Sequence, residues 1–513
     1  MQRNRILAAL FASTVAATAL IACTTSRAAE PPPLAVSDDI DALVEGALAE
    51  IGVPAGVAVA VYTPDGVYAR GFGLADVDTG EPATADTAFY IASTTKAFTA
   101  MTMNALAHRG EIDLDATLAE FAPDAPFPAA VHPDEVVLRD LLTHTSGISN
   151  QPIGFRSAYS GDHTPELLWE LLGASVENEA APHGTFQYTN TGYNILTVLT
   201  DRELGVRWQD LIAREILEPA GMSHTTAVMS EAERGGWSIA RPHGPDFVNG
   251  GMRKQYLGKV DATMQSAGGM VMSANDALKW LELLINDGVV DGRQVIPAEA
   301  VRESRERLAE IGALQARPFP LEAYGLGWFV STYSGEPMIF HRGGFAGFLT
   351  HISYLPERGV GVAVFADEAI VGASLSDALA SSVYDLVAGR IDGGEAREAR
   401  IAELAEGYQS FADRYAADLA NRAGREWLLT LPREAYAGAY VNDEQGTFDV
   451  AVEGDELVVR MNILHAVAEP FTQPDSIRVE LAPMSGGVIV FEVEDGVVTG
   501  ATMQGMPAAF ERR

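Results

Sequence analysis

Cysteine occurs once in 513 residues, at Cys23. That excludes a disulfide framework within the chain and any metal centre built on several cysteines. Lysine is almost as scarce, with only Lys96, Lys254, Lys259 and Lys279. Lysine and arginine together number 35 against 70 acidic residues, a formal charge of −35. Such a surface repels nucleic acid and anionic membranes, so neither is an expected partner. No His-x-x-x-His pair occurs, so no metal site is expected. Gly-x-Ser-x-Gly is missing too, which argues against an α/β-hydrolase. A lone Gly71-Phe72-Gly73 is too little for a nucleotide site. No cofactor is expected.

What is present is ordinary globular material, 47% hydrophobic and 20% charged, over a length too great for one compact core. Residues 1–22 read as a targeting segment. Arg3 and Arg5 precede an Ala-rich apolar stretch, Ile6 to Ile21, that is short for a membrane span. It ends in Leu20-Ile21-Ala22-Cys23, which resembles a bacterial lipoprotein signal that leaves Cys23 to carry lipid. The competing reading is a plain secretory leader cut near Ala28 or Ala29. Residues 23–37, with Pro31-Pro32-Pro33, read as an extended tether. The expected location is periplasmic, anchored to the outer membrane through Cys23 alone. No later apolar run reads as a span.

Asp38 to Ile51 has helical periodicity, with Ser37-Asp38-Asp39 placed to cap it. Gly56 to Tyr62 and Val67 to Phe72 form a hairpin about Pro64-Asp65-Gly66. Helices and loops follow from Gly110 to about Leu308. Strands return at Gly327–Tyr333, Pro337–Phe340, Phe348–Leu355 and Gly361–Phe365, before a helix from Ser374 to about Ala388. A hairpin at the start and a meander at the end predict one sheet closed by both chain ends. The fold class is α/β (α+β): an antiparallel sheet flanked by helices plus a mainly helical subdomain, over residues 38–390. Residues 391–428 read as a charged helical connector. Six short strands in residues 429–513 predict a small antiparallel β-barrel-like domain.

Chemistry is concentrated in Phe89-Tyr90-Ile91-Ala92-Ser93-Thr94-Thr95-Lys96-Ala97-Phe98. Ser93 stands at the mouth of an apolar helix, and Lys96, three residues on, shares its face. A lysine among apolar residues is desolvated, and desolvation makes it a base. A nucleophile beside its base, at a helix N-terminus, outlines an acyl-transfer site. Taken alone, Ser-x-x-Lys reads equally well as a capping serine with a surface lysine.

Two further motifs follow at element boundaries: Tyr188-Thr189-Asn190 and His341-Arg342-Gly343. Tyr440-Val441-Asn442 and His108-Arg109-Gly110 match the same patterns, but one lies in the terminal β domain and the other ends the Ser93 helix, so neither is assigned a role. With the three motifs in order, the chain resembles serine hydrolases of the class C β-lactamase and penicillin-binding type, a group that includes esterases and D-amino-acid peptidases. The resemblance spans about Asp38 to Gly389. Gly71 to Asp76, Leu138 to Gly147, Ala267-Gly268-Gly269 and Tyr324-Gly325-Leu326-Gly327-Trp328 support it.

The resemblance implies that Ser93 attacks an acyl carbon while Lys96 and Tyr188 share its proton, either of them serving as base. A basic role for Tyr188 needs its pKa well below the usual ~10, which nearby cations would supply. Asn190 is expected to orient Lys96 and the substrate, or to cap the next helix, or both. His341 is expected on an edge strand facing Ser93, with Gly343 and Gly344 letting that strand approach substrate closely. The resemblance places the oxyanion on the backbone N–H groups of Ser93 and Gly344. Arg342 is expected to point away, and His144 to be structural. β-Lactamases of this type carry lysine where His341 stands, which disfavours efficient β-lactam hydrolysis. The function implied is a serine hydrolase acting on a small D-amino-acid-type amide or ester. The alternatives are a β-lactamase or DD-carboxypeptidase, and a non-catalytic binding lipoprotein. The oligomeric state is left open.

Overall fold

Along β1 (Val57–Thr63) all side chains but Tyr62 are buried, and alternate residues serve different cores. Val57, Val59 and Val61 face one layer of helices; Ala58 and Ala60 face another, where small residues leave room for the buried indoles of Trp280 and Trp328. The computed structural model describes residues 32–246, 249–314, 318–391, 394–506 and 508–513. The leader, Cys23 and the tether up to residue 31 lie outside them.

β1 pairs with β2 (Gly66–Phe72) as the expected hairpin. The rest of the sheet comes from β3 (Ala309–Leu314), β4 (Leu321–Tyr324), β5 (Phe329–Tyr333), β6 (Glu336–Phe345), β7 (Phe348–Leu355) and β8 (Val360–Ala366). The order is β3-β4-β5-β6-β7-β8-β1-β2, so the two chain ends do meet, at β8 and β1. β3 and β4 extend the sheet beyond the four late strands expected.

On the valine face lie α1 (Ser37–Ile51) and α5 (Ala369–Val387). Ser37 does not cap α1; its hydroxyl donates to the Leu34 carbonyl at 2.6 Å. Helix α5 is long and apolar enough to cross a membrane, against the sequence expectation, but it is packed in this core. The opposite face carries α2 (Thr95–His108) and α4 (Ala274–Ile285), the latter capped by Ser273. Helix α2 is buried from Thr95 through Leu106 because it separates two cores. Phe98 and Met101 pack toward the sheet; Met103 and Leu106 pack toward the helical subdomain with α3 (Thr191–Leu204). A helix buried all round needs no polar face, and the lysine in its first turn is thereby enclosed.

Two boundary expectations change. The tether ends earlier than residue 37, since Pro33 bridges Val67 and Leu34 is buried. The expected connector is α6 (Gly394–Ala423), which buries Leu404, Tyr408 and Ala412 in the core shared by α1 and α5. The last domain is a nearly closed antiparallel barrel: β9 (Gly438–Asn442), β10 (Gly446–Glu453), β11 (Glu456–Met461), β12 (Leu464–Val467), β13 (Glu469–Pro470), β14 (Ser476–Ala482), β15 (Ser485–Glu494), β16 (Val497–Met503) and β17 (Phe510–Arg512). The order β12-β11-β10-β9-β17-β16-β15-β14-β13 puts Pro470 on the last strand, where a missing N–H is tolerated. Buried Arg156 of the helical subdomain ties the barrel on, donating to the Glu444 carbonyl at 2.8 Å and the Asp443 carbonyl at 3.3 Å.

Candidate active site

Ser93 lies in a single 3-10 turn, Ala92–Thr94, that runs directly into α2. Ala92, just before it, has φ +47°, a left-handed conformation costly for a residue with a side chain. The turn is held from two sides. The Ile91 N–H donates to the Met270 carbonyl at 2.9 Å, and Thr350 on β7 donates to the Ile91 carbonyl at 2.9 Å.

Lys96 points back along α2 toward this turn, fully buried. Its Nζ lies 3.2 Å from Ser93 Oγ and donates to Asn190 Oδ1 and the Ala267 carbonyl, each at 2.7 Å. Burial pushes the ammonium pKa well below its ordinary 10.5, which favours the neutral amine that can act as a base. Such an amine has two N–H bonds and one lone pair. Two oxygens that only accept take the N–H bonds, which leaves the lone pair for the Ser93 hydroxyl proton. Asn190 stands at the N-cap position of α3, yet its side chain makes no capping bond because it serves Lys96.

Tyr188 completes the cluster. Its residue is 37% exposed, but its hydroxyl end turns inward to hydrogen-bond with Ser93. Desolvation raises its pKa above the ordinary 10.0 and the Ser93 hydroxyl offsets this only in part. A basic role for Tyr188 required a lowered value; desolvation outweighs the Ser93 hydrogen bond and moves it the other way. Tyr188 is therefore a phenol at rest. Its ring stacks on Phe329 with centroids 6.0 Å apart and lies 4.5 Å from the ring of His144.

The expected edge strand is β6, and here the structure differs. β6 is the fourth of eight strands, not an edge. Its partner β5, however, pairs only with Glu336–Phe340, whereas β7 runs on through Phe345. Residues 341–345 thus have a strand on one side only. Gly343 lies under the Ser93 turn: a Cβ there would fall 2.2 Å from the Ile91 carbonyl oxygen and 2.3 Å from Thr350 Oγ1. Gly344 is exposed. Arg342 points away, pairing with Asp377 on α5 at 2.6 Å.

His341 is not the substrate-facing group expected. It is 1% exposed, and both ring nitrogens are used within the protein. Nδ1 donates to the Arg342 carbonyl at 2.7 Å, which fixes the tautomer and leaves Nε2 to accept from the Tyr324 hydroxyl at 3.1 Å. Burial above all holds its pKa down at about 3. The imidazole is neutral and supports the Tyr188 ring, 5.9 Å away.

Two contributors were missed by sequence reasoning. The Ala267 carbonyl is a backbone group, signalled only by the Ala-Gly-Gly run. Buried Tyr324 cages Tyr188 from a motif used only as family support, beside His144, which the sequence marked as structural and which is buried here. Among the described residues no cluster of His, Cys, Asp and Glu could hold a metal ion.

Comparison with known proteins follows the same outline. A family model described as Beta-lactamase matches residues 40–381. Unguisins hydrolase ungD of Aspergillus violaceofuscus is 25% identical over 421 residues, 78% of this chain and 74% of that protein. Penicillin-binding protein 4 of Amycolatopsis lactamdurans is 24% identical over 331 residues, 63% of this chain and 83% of its own. Among solved structures, the octameric penicillin-binding protein homologue of Pyrococcus abyssi superposes with a TM-score of 0.58 at 22% identity, covering 92% of this chain and 99% of that one. D-amino acid amidase of Ochrobactrum anthropi SV3 gives 0.54 at 22% identity, covering 72% and 99%.

Proposed function

Because the chain belongs to the β-lactamase family of serine hydrolases, we propose that it hydrolyses a small amide or ester of D-amino-acid type through an acyl-enzyme on Ser93. The observation that carries this reading is the buried Lys96 Nζ, 3.2 Å from Ser93 Oγ and held there by two acceptors at 2.7 Å. As Ser93 Oγ bonds to the acyl carbon, its proton passes to Lys96 Nζ. Tyr188, a phenol, gives its proton to the leaving nitrogen or oxygen and is reprotonated from Lys96. Water then attacks the ester by the reverse relay, releasing the acid and restoring Ser93. The backbone N–H groups of Ser93 and Gly344 receive the oxyanion. Asn190, its Oδ1 committed to Lys96, has Nδ2 left to donate to a substrate carbonyl.

Substrate choice follows from His341. A neutral, internally satisfied imidazole offers no cation to a β-lactam carboxylate. That favours an amide or ester over β-lactams and peptidoglycan peptides, and the amidase among the structural neighbours agrees with it. Export and lipid attachment at Cys23 belong to the same reading. Labelled palmitate should be incorporated by the wild type and lost in Cys23→Ala.

The direct test is mass spectrometry after a fluorophosphonate or fluorescent penicillin, beside turnover of nitrophenyl esters, D-amino-acid amides and nitrocefin. An adduct on Ser93, with ester or amide turnover exceeding nitrocefin turnover, is expected. An unmodified Ser93 with no turnover would leave a binding protein.

A further inference from the structure

Beyond Phe340, strand β6 has lost β5 and is paired only to β7. That stretch carries the Gly344 N–H assigned to the oxyanion, so its height against Ser93 depends on what holds it from its two faces. Two cross-strand pairs stand side by side there: Arg342 opposite His351, and Gly343 opposite Thr350. Successive strand residues face opposite sides. The Gly343 pair faces the Ser93 turn, where Thr350 donates to the Ile91 carbonyl at 2.9 Å. The Arg342 pair faces α5, and both of its side chains end on one carboxylate, Asp377.

Asp377 divides its oxygens between the two strands. Oδ2 meets Arg342 Nε at 2.6 Å, a contact of charges rather than an aligned hydrogen bond. Oδ1 shares a hydrogen bond of 2.8 Å with His351 Nδ1. The other ring nitrogen of His351 lies 2.7 Å from Ser93's distant counterpart on β7, Ser353 Oγ, which in turn meets the Tyr384 hydroxyl of α5 at 2.8 Å. Burial pulls the Asp377 carboxyl toward its neutral form, but the His351 bond and the Arg342 charge outweigh it and hold the pKa below the ordinary 3.8. Asp377 is therefore a carboxylate tied to both strands. Asp377, His351 and Ser353 have the order of a Ser-His-Asp relay, yet Ser353 has no exposed surface for a substrate to reach. The array holds two strands to a helix and does no chemistry of its own.

Given the acyl-enzyme on Ser93 proposed above, we propose that Asp377 and Arg342 are positioning residues for the hydrolase: their ion pair seats residues 342–344 of β6 on α5 and so sets the distance from Ser93 Oγ to the Gly344 N–H. At one end of this stretch Phe340 is still paired to Phe329 of β5. At the other, Phe345 stands edge-on to Tyr90 with centroids 5.5 Å apart. Arg342 is the tie between these two points. The oxyanion forms only in the transition state, so an error in this height lowers kcat and leaves KM alone.

In the full-length protein, Asp377→Ala and Arg342→Met should each lower kcat on nitrophenyl acetate by about tenfold, with KM within about twofold of wild type. The double variant should lose little more than the larger single loss, because both substitutions remove one contact. Phenylboronic acid, tetrahedral once joined to a serine oxygen, should inhibit each single variant about tenfold more weakly. A loss of folded protein would lower kcat but leave that inhibition constant unchanged. Glu336→Gln is the control on the same strand: it breaks the Glu336–Arg358 pair at 2.6 Å, where β5 still holds β6, and should keep both kcat and the inhibition constant. If Asp377→Ala does not fold, Asp377→Asn retains an acceptor for His351 and removes the charge, and the same two losses are expected. Unchanged kcat in the variants, a fall in kcat with unchanged inhibition, a double loss equal to the product of the single ones, or an equal fall in Glu336→Gln would overturn the positioning role. A wild type that neither turns over the ester nor binds the boronic acid would overturn the hydrolase reading and this role with it, a result told apart because it needs no substitution.

Discussion

Lys96 Nζ approaches Ser93 Oγ at 3.2 Å while both of its shorter contacts, 2.7 Å each, are to oxygens that only accept. In the neutral form those two oxygens take both N–H bonds, and the amine is placed to receive the Ser93 proton.

The first prediction concerns that amine. Lys96→Met should lower kcat/KM by ~10³ or more while leaving a folded protein. The wild-type rate should rise with pH through the lowered Lys96 pKa, well below 10.5. Stability carries the same signature. Lys96 gives up its proton at lower pH in the folded state than in the unfolded chain, which holds it up to about 10.5, so wild type gains stability as pH rises between the two. The variant lacks this term. Melting both proteins between ~pH 6 and ~pH 10 should show the balance shifting toward Lys96→Met as pH falls. A pH-independent difference would mean that Lys96 is charged in the fold.

Tyr188→Phe keeps the ring stacked on Phe329 and deletes only the hydroxyl that meets Ser93. Proton transfer to the leaving group is lost, so kcat should fall by about 10²–10³ with little change in KM. The acid limb of the pH–rate profile should persist, since it belongs to Lys96. If the limb vanished with the hydroxyl, the base would be Tyr188.

His341 sets an acid-stability term. Its pKa is about 3 in the fold against 6.5 ordinarily, so the protein loses stability as pH falls from about 6.5 toward 3. Between ~pH 7 and ~pH 4.5 this one group costs on the order of 3 kcal/mol. His341→Gln should show that much less loss in denaturant titrations at the two pH values. An equal loss in both proteins would mean that the folded-state imidazole titrates near its ordinary 6.5.

How far these relationships were legible in the sequence depends on what each is made of. Ser93, Lys96, Tyr188 and Asn190 are side chains of marked chemistry at element boundaries, and the structure brings all four together. The third partner of Lys96 is a backbone carbonyl, which has no residue type to betray it. The choice of base between Lys96 and Tyr188 stayed open because cations can be counted in a sequence and desolvation cannot. β6 was read as an edge strand facing Ser93, with Gly343 and Gly344 letting it approach substrate. The openness is real over residues 341–345, but it arises from the early end of β5, a matter of register between strands. In the barrel, Leu464–Val467, Glu469–Pro470 and Phe510–Arg512 are too short for an alternating pattern to register.

Adjacent glycines on β6 give the last prediction, because they differ in what a methyl group would meet. At Gly343 a Cβ would fall 2.2 Å from the Ile91 carbonyl oxygen, which is backbone and cannot step aside. Gly343→Ala must push the sheet away from the Ser93 turn, lengthening the reach from nucleophile to oxyanion donor. A displacement of even ~1 Å there costs about 10²-fold in rate, and a fall of that size in kcat with a lowered Tm is expected. At Gly344 the nearest atom is Leu349 Cδ1 at 3.4 Å, the end of a flexible side chain on the face turned away from Ser93. Gly344→Ala should melt close to wild type and keep kcat within about fivefold, since its N–H is retained and only the N–H is required. Assaying the two variants side by side on one nitrophenyl ester separates the roles. Equal losses in both would mean that the Ser93 turn is not seated on Gly343, and the geometry assigned to the oxyanion donors would fall with it.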